Sequence, residues 1–133
     1  MTAREETFNK SERLCSRKII TGLIDNGNIF YTPFYKVIWS KYEIDSPFPA
    51  RIAFSVPKRG FRLAVARNLL KRRMREAYRR NKHVLYDFLR EENIRIAFIV
   101  IFRAGSIPDY RAIERSIREL INKFKTETVK MKK

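Results

Sequence analysis

The sequence predicts an α+β fold: a single-domain α/β sandwich with about four strands in a mixed sheet and about three main helices, in the order α-β-β-β-α-β-α. Three observations carry this. Apolar residues recur at helical spacing near both ends, at Leu14–Ile24 and Ile113–Phe124. A long arginine-rich run in the middle threads its own apolar residues through the charge. Short runs rich in aromatic and β-branched residues lie between, punctuated by proline and glycine.

Met1–Thr7 is polar, and residues 1–8 are expected to form a flexible tail. From Ser11, the run SERLCSRKIITGLIDNGN places Leu14, Ile19, Ile20, Leu23 and Ile24 at spacings of three to five, and Asn26-Gly27 ends it, so one amphipathic helix is expected. NIFYTPFYKVIWSKY is strand-like, and Pro33 divides it into two pieces. Tyr35, Val37 and Trp39 share one face; Phe34, Lys36 and Ile38 share the other. EIDSPFPA is a loop, and RIAFSVPK is a third strand with Ile52, Phe54 and Val56 on one side. RIAFIVIFR, Arg95–Arg103, is apolar on both faces and should be central. DYRAIERSIRELINKF is a closing helix with the stripe Ile113, Ile117, Leu120, Ile121 and Phe124, capped by Asp109 or Ser106. KTETVKMKK lacks a stripe, so 126–133 is expected as a second flexible tail, leaving 9–125 as one domain.

The chain has 133 residues, enough for one core, and ten Phe and six Tyr can fill it. Its formal net charge of +16 destabilises a compact state unless a polyanion is usually present. Nucleic acid is the leading partner class; an anionic membrane or acidic protein fits less well. The lone Cys15 excludes an internal disulfide, which suits a reducing compartment. The N-terminus lacks the apolar core of a secretory signal, and Ile96–Phe102 is too short to span a bilayer, so a soluble cytoplasmic protein with no membrane association is expected.

The central run RNLLKRRMREAYRR, Arg67–Arg80, shows where the charge goes. On a helical wheel Arg67, Asn68, Lys71, Arg72, Arg75 and Arg79 fall within an arc of about 140°. Ala66, Leu70, Met74 and Ala77 lie nearly opposite, and Tyr78 borders the basic arc. Arg73 intrudes on the apolar side, its stem along the core and its head in water. Charge runs on helices are commonly solvated faces balanced by acids, but this one contains a single acid, Glu76. Guanidinium forks meet phosphate oxygens with paired hydrogen bonds, and Asn68 can both donate and accept. Just before the run, Lys58, Arg59 and Arg62 surround Gly60, whose missing side chain would let backbone approach a phosphate or simply make a turn.

The segment SVPKRGFRLAVARNLLKRRMREAYRRNK resembles the signature of the bacterial ribonuclease P protein component. The family pattern R-N-x-x-K-R-x-x-R-E-x-x-R is matched by Arg67, Asn68, Lys71, Arg72, Arg75, Glu76 and Arg79. The resemblance covers Asn9–Phe124. Two features depart from the common form: the loop reads PKRGFR, and Ile20 and Ile24 stand where the family often carries phenylalanines lining a cleft. The resemblance implies a subunit that leaves the chemistry to a catalytic RNA, which holds the Mg²⁺ ions. It implies that Lys58, Arg59, Arg62, Arg67, Asn68, Lys71, Arg72, Arg75 and Arg79 contact that RNA. A cleft between the first helix and the sheet would hold the 5′ leader of precursor tRNA. Ile20 and Ile24, with Tyr35, Val37 and Trp39 or else Ile38 from the opposite face, are its candidate residues; plain core packing is the equal alternative for the aromatics. The resemblance also implies a left-handed β-α-β crossover, against the usual right-handed expectation.

The residue inventory offers no catalyst or protein-held metal. His83 is the one histidine, expected just past the basic helix, Cys15 has no ligand-spaced companion, and Asp25, Glu43 and Asp45 would pair only if the fold happened to gather them. No glycine-rich phosphate loop or nucleophile elbow is present. No protein partner is evident. The alternatives are a ribosomal or other structural RNA-binding protein without a nuclease role, and a non-specific DNA-compacting protein.

Overall fold

The computed structural model describes residues 8–43 and 46–132. Its order is a 3-10 turn (Lys10–Glu12), α1 (Arg17–Asn26), β1 (Asn28–Tyr31), β2 (Tyr35–Lys41), β3 (Ala50–Ser55), α2 (Ala64–Glu91), β4 (Ile96–Phe102) and α3 (Tyr110–Lys132). The strands form one four-stranded sheet in the order β1-β2-β4-β3. Pro33 separates β1 from β2, which pair as an antiparallel hairpin. β4 lies antiparallel to β2, with Val37 opposite Val100, and parallel to β3, with Ile52 opposite Phe98. The expected α+β sandwich, its mixed sheet and the central apolar β4 are therefore present. α2 is the crossover joining the two parallel strands.

The faces of the sheet differ. One carries Tyr35, Val37, Trp39, Ile52, Phe98, Val100 and Phe102, all buried against α2 and α3. Phe124 of α3 is an aromatic hub there, 5.4 Å from Phe30, 5.3 Å from Trp39 and 5.1 Å from Phe98 between ring centroids. α2 and α3 run in the same direction: Arg73 donates to the Pro108 carbonyl (2.7 Å), and Asn81 meets Glu114 and Arg118 further along. The Arg73 head thus ends on a carbonyl. The other face carries Ile38, Ala97 and Ile99, covered by Leu14 and Leu23 with Ile19 and Ile20 alongside. α1 shields only part of it.

Several boundaries move. α1 starts at Arg17, because Ser16 caps it, its hydroxyl accepting from Ile19 N–H (3.3 Å). Leu14 instead donates its N–H to the Ile52 carbonyl (2.8 Å), extending the β3 edge. Gly27 ends α1 where a Cβ would meet Ile38 Cγ2 and the Leu23 carbonyl at 2.6 Å, so only glycine fits this junction. α2 continues beyond His83 to Glu91 because Leu85, Tyr86 and Leu89 prolong its buried stripe. Asn93, at φ 55°, then turns the chain toward β4, a left-handed position asparagine tolerates.

The expected tails need correction. Asp109 Oδ1 caps α3 by accepting from Ala112 N–H (2.8 Å), and the helix runs on through 126–132, with Thr128 fully buried. Phe8 packs edge-on to Tyr78 (5.8 Å) and Phe54 (6.5 Å), so it belongs to the core. Residues 1–7 and 133 lie outside the described residues.

Candidate RNA-binding site

The basic surface is built by the loop between β3 and α2 and by the first turns of α2. A turn closed by Phe61 N–H on the Lys58 carbonyl (3.2 Å) exposes Lys58, Arg59 and Gly60. Gly60 adopts no positive φ and has open space around it, so it leaves room at the surface without being required by strain. Arg62 is exposed as well.

Along α2, Asn68, Arg72 and Arg75 are exposed and Lys71 is half-buried at its rim. Among the described residues none of Lys71, Arg72 and Arg75 meets a carboxylate, whereas ion pairs elsewhere include Arg79 with Glu76, Lys82 with Glu12, Arg118 with Glu114 and Lys130 with Glu127. The side chains lie on one ridge, as the wheel predicts, because Leu70, Met74 and Ala77 point into the core on the opposite side. Unpaired like charges kept in water build a positive potential that draws anions toward this face.

Two members of the predicted set have work inside the molecule. Arg67 is half-buried and donates through Nη1 to the carbonyls of Phe61 (2.7 Å) and Arg62 (2.9 Å), which pins the loop to the helix. Arg79 forms a fork with Glu76, Nε to Oε1 at 2.9 Å and Nη2 to Oε2 at 2.7 Å. That hydrogen bonding, with the charges of Arg79 and Arg80, holds the Glu76 carboxyl below its ordinary range. Tyr78, next to Arg67 and Lys71 on the wheel, is buried, so the edge of the basic arc nearest Tyr78 turns inward, where Arg67 and Lys71 are half-buried.

The predicted cleft floor is also corrected. Tyr35, Val37 and Trp39 are 0–2% exposed beneath α2 and α3, so they are core. The Tyr35 hydroxyl shares a hydrogen bond with Ser116 Oγ (2.6 Å), and burial pushes its pKa up to about 12. Ile38 is buried beneath α1. Of the predicted cleft residues, Ile20 remains half-buried at the α1–sheet junction, and Ile24 is 60% exposed. The uncovered part of that face presents different residues: Lys36 and Ile101, paired across β2 and β4, and Tyr31, whose ring lies 4.9 Å from the Arg103 guanidinium. The alternation Tyr31, Lys36 and Ile38 against Val37 and Trp39 carried this signal: the face with a lysine is the one reaching water.

Among the described residues no three His, Cys, Asp or Glu side chains gather into a metal site. Asp25, Glu43, His83 and Cys15 are all exposed, and Asp45 lies outside the described residues. No described helix is long and apolar enough to cross a membrane.

The fold and this face define a basic α+β protein, in which a sheet holds one helix so that its cationic side stays open. Comparison with known proteins narrows the class. The family model for ribonuclease P matches residues 8–125. A ribonuclease P protein component of Porphyromonas gingivalis is 38% identical over 114 residues, 84% of this chain and 82% of that protein. One from Chlorobium phaeobacteroides is 29% identical over 129 residues, 90% of this chain and 88% of that protein. Among solved structures, the Thermotoga maritima RNase P protein superposes with a TM-score of 0.68 at 23% identity, covering 84% of this chain and 96% of its own. The Staphylococcus aureus protein gives 0.67 at 20%, covering 85% and 94%. The chain belongs to the family of ribonuclease P protein components, the protein subunits of the endoribonuclease that matures tRNA 5′ ends.

Proposed function

We propose that this subunit acts in the cytoplasm and holds the catalytic RNA of ribonuclease P on its basic ridge while the open sheet face takes the 5′ leader of precursor tRNA. The supporting observation is the unpaired set Lys71, Arg72 and Arg75 beside exposed Asn68, Lys58, Arg59 and Arg62. Arg67 positions that loop, and Arg79 joins the ridge if Glu76 releases it. The leader surface is Ile20, Ile24, Tyr31, Lys36, Ile101 and Arg103: bases rest on the apolar and aromatic groups, and the two cations face phosphates. Mg²⁺ needed for cleavage is held mainly by RNA phosphates, the hard oxygen ligands that ion prefers.

Reconstitution with a bacterial ribonuclease P RNA and Mg²⁺ tests this. The protein should stimulate cleavage of precursor tRNA and cleave nothing alone. The holoenzyme should bind precursor tRNA more tightly than mature tRNA. Equal affinity for both, with no stimulation under any salt condition, would favour a structural RNA-binding role instead.

A further inference from the structure

Among the described residues the two most exposed large apolar side chains are Leu63 at 73% and Val65 at 79%. Both stand at the N-terminal tip of α2, inside the basic surface. Neither serves the fold. Leu63 occupies the N-cap without a side-chain cap bond, where Ser, Thr, Asp or Asn would satisfy a helix N–H. Val65 is β-branched in the first turn, where alanine is the better helix former.

The tip is nevertheless fixed. Arg67 holds the carbonyls of Phe61 and Arg62, the Phe61 ring packs 5.8 Å from Phe102, and Ala66 N–H donates to the Leu63 carbonyl (3.1 Å). Two aliphatic side chains therefore project into water from a rigid mount, flanked in sequence by exposed Arg59, Arg62 and Asn68.

We infer that Leu63 and Val65 form an apolar contact for an unstacked nucleotide of the RNA bound by the basic ridge. This rests on the proposed RNA-binding role of the ridge and adds the kind of RNA it selects. A continuous A-form duplex hides its base faces in the stack and shows phosphates and hydroxyls, which offer nothing to an aliphatic pair. A bulged or looped nucleotide exposes a base face, and apolar side chains contact such faces where stacking is broken. The surrounding cations suit the phosphates on either side of it. The same cations exclude a second copy of this chain, because like charges would meet around the patch.

The test titrates the full chain, the Leu63→Ser/Val65→Ser variant and Arg72→Ala onto three probes: a perfect RNA duplex, the same duplex with an unpaired bulge, and a bacterial ribonuclease P RNA. The double variant should bind the bulged RNA and the ribonuclease P RNA about tenfold more weakly, the scale of one base contact, and the duplex as before. Its salt slope should not change, since no phosphate contact is lost. Its thermal unfolding should hold or rise, because serine caps a helix better than leucine. Unchanged affinity for the bulged RNA and the ribonuclease P RNA, while Arg72→Ala still flattens the salt slope, overturns the inference and leaves the ridge reading standing. Equal weakening on duplex and bulge overturns the unstacked-nucleotide contact. If Arg72→Ala leaves the slope unchanged, the ridge reading fails and the inference with it.

Discussion

One helix treats its cations in two opposite ways. At the start of α2, Arg72 and Arg75 stand in water with no carboxylate partner among the described residues. Further along, Lys82 is 1% exposed. Its ammonium meets Glu12, whose Oε1 also accepts from the Tyr86 hydroxyl (2.7 Å) and whose Oε2 accepts from Asn9 N–H (2.6 Å). The Phe48 and Tyr86 rings lie 5.5 and 5.4 Å from Lys82 Nζ. The difference teaches a rule for reading charge. A desolvated cation is neutralised inside the fold, because an unpaired buried charge costs several kcal/mol. A hydrated one can wait for an outside partner.

Removing Glu12 is the hardest test of the contrast. Glu12→Ala removes the carboxylate facing buried Lys82, and urea unfolding should show a loss of about 3–5 kcal/mol. Adding Lys82→Met should recover much of it. A loss under about 1 kcal/mol for the single variant would mean the pair is not what anchors the leading segment.

The buried end should also fail in alkali. Desolvation raises the pKa of Tyr35 from 10.0 to about 12, and burial raises Tyr78 and Tyr86 further. The unfolded chain ionises these groups first. Stability is therefore complete below pH 10 and declines as pH rises through that range toward 12, by roughly 3 kcal/mol for Tyr35 alone. Chemical unfolding at stepped pH measures this, and a flat profile from pH 9 to 11.5 would contradict the packing.

At the exposed end the expectation is reversed. Arg72→Ala and Arg75→Ala should each flatten the salt dependence of RNA binding by about one phosphate contact. Stability should stay within about 0.5 kcal/mol of the parent chain. Substantial unfolding would make those arginines structural. The smallest effect belongs to Glu76→Gln, which loosens the fork on Arg79 and should raise RNA affinity a few-fold at low salt, with little change in unfolding.

The basic ridge was legible because its signal is local: residues one helical turn apart fall on one side whatever the rest of the chain does, and a single acid cannot balance them. The central β4 was legible for a related reason, apolar residues on both faces. The cleft was not. Alternation separates Tyr35, Val37 and Trp39 from Lys36 and Ile38, and Lys36 was the one cue to which set meets water, against three aromatic or β-branched residues that suit either a core or a cleft. Aromatic residues invite a stacking role, and here they were the core. Nothing in the sequence marks Lys82 and Glu12 as a buried pair, because no local pattern links residues so distant along the chain.

By itself the sequence determined the order of elements, the cationic ridge of α2 and the family signature, because spacing along a helix or strand is set by backbone geometry. The tertiary structure decided which side of the sheet meets water, which charges are hidden, and that the last helix runs on to Lys132. Those outcomes depend on surfaces contributed by distant segments, and burial exists only once those segments meet.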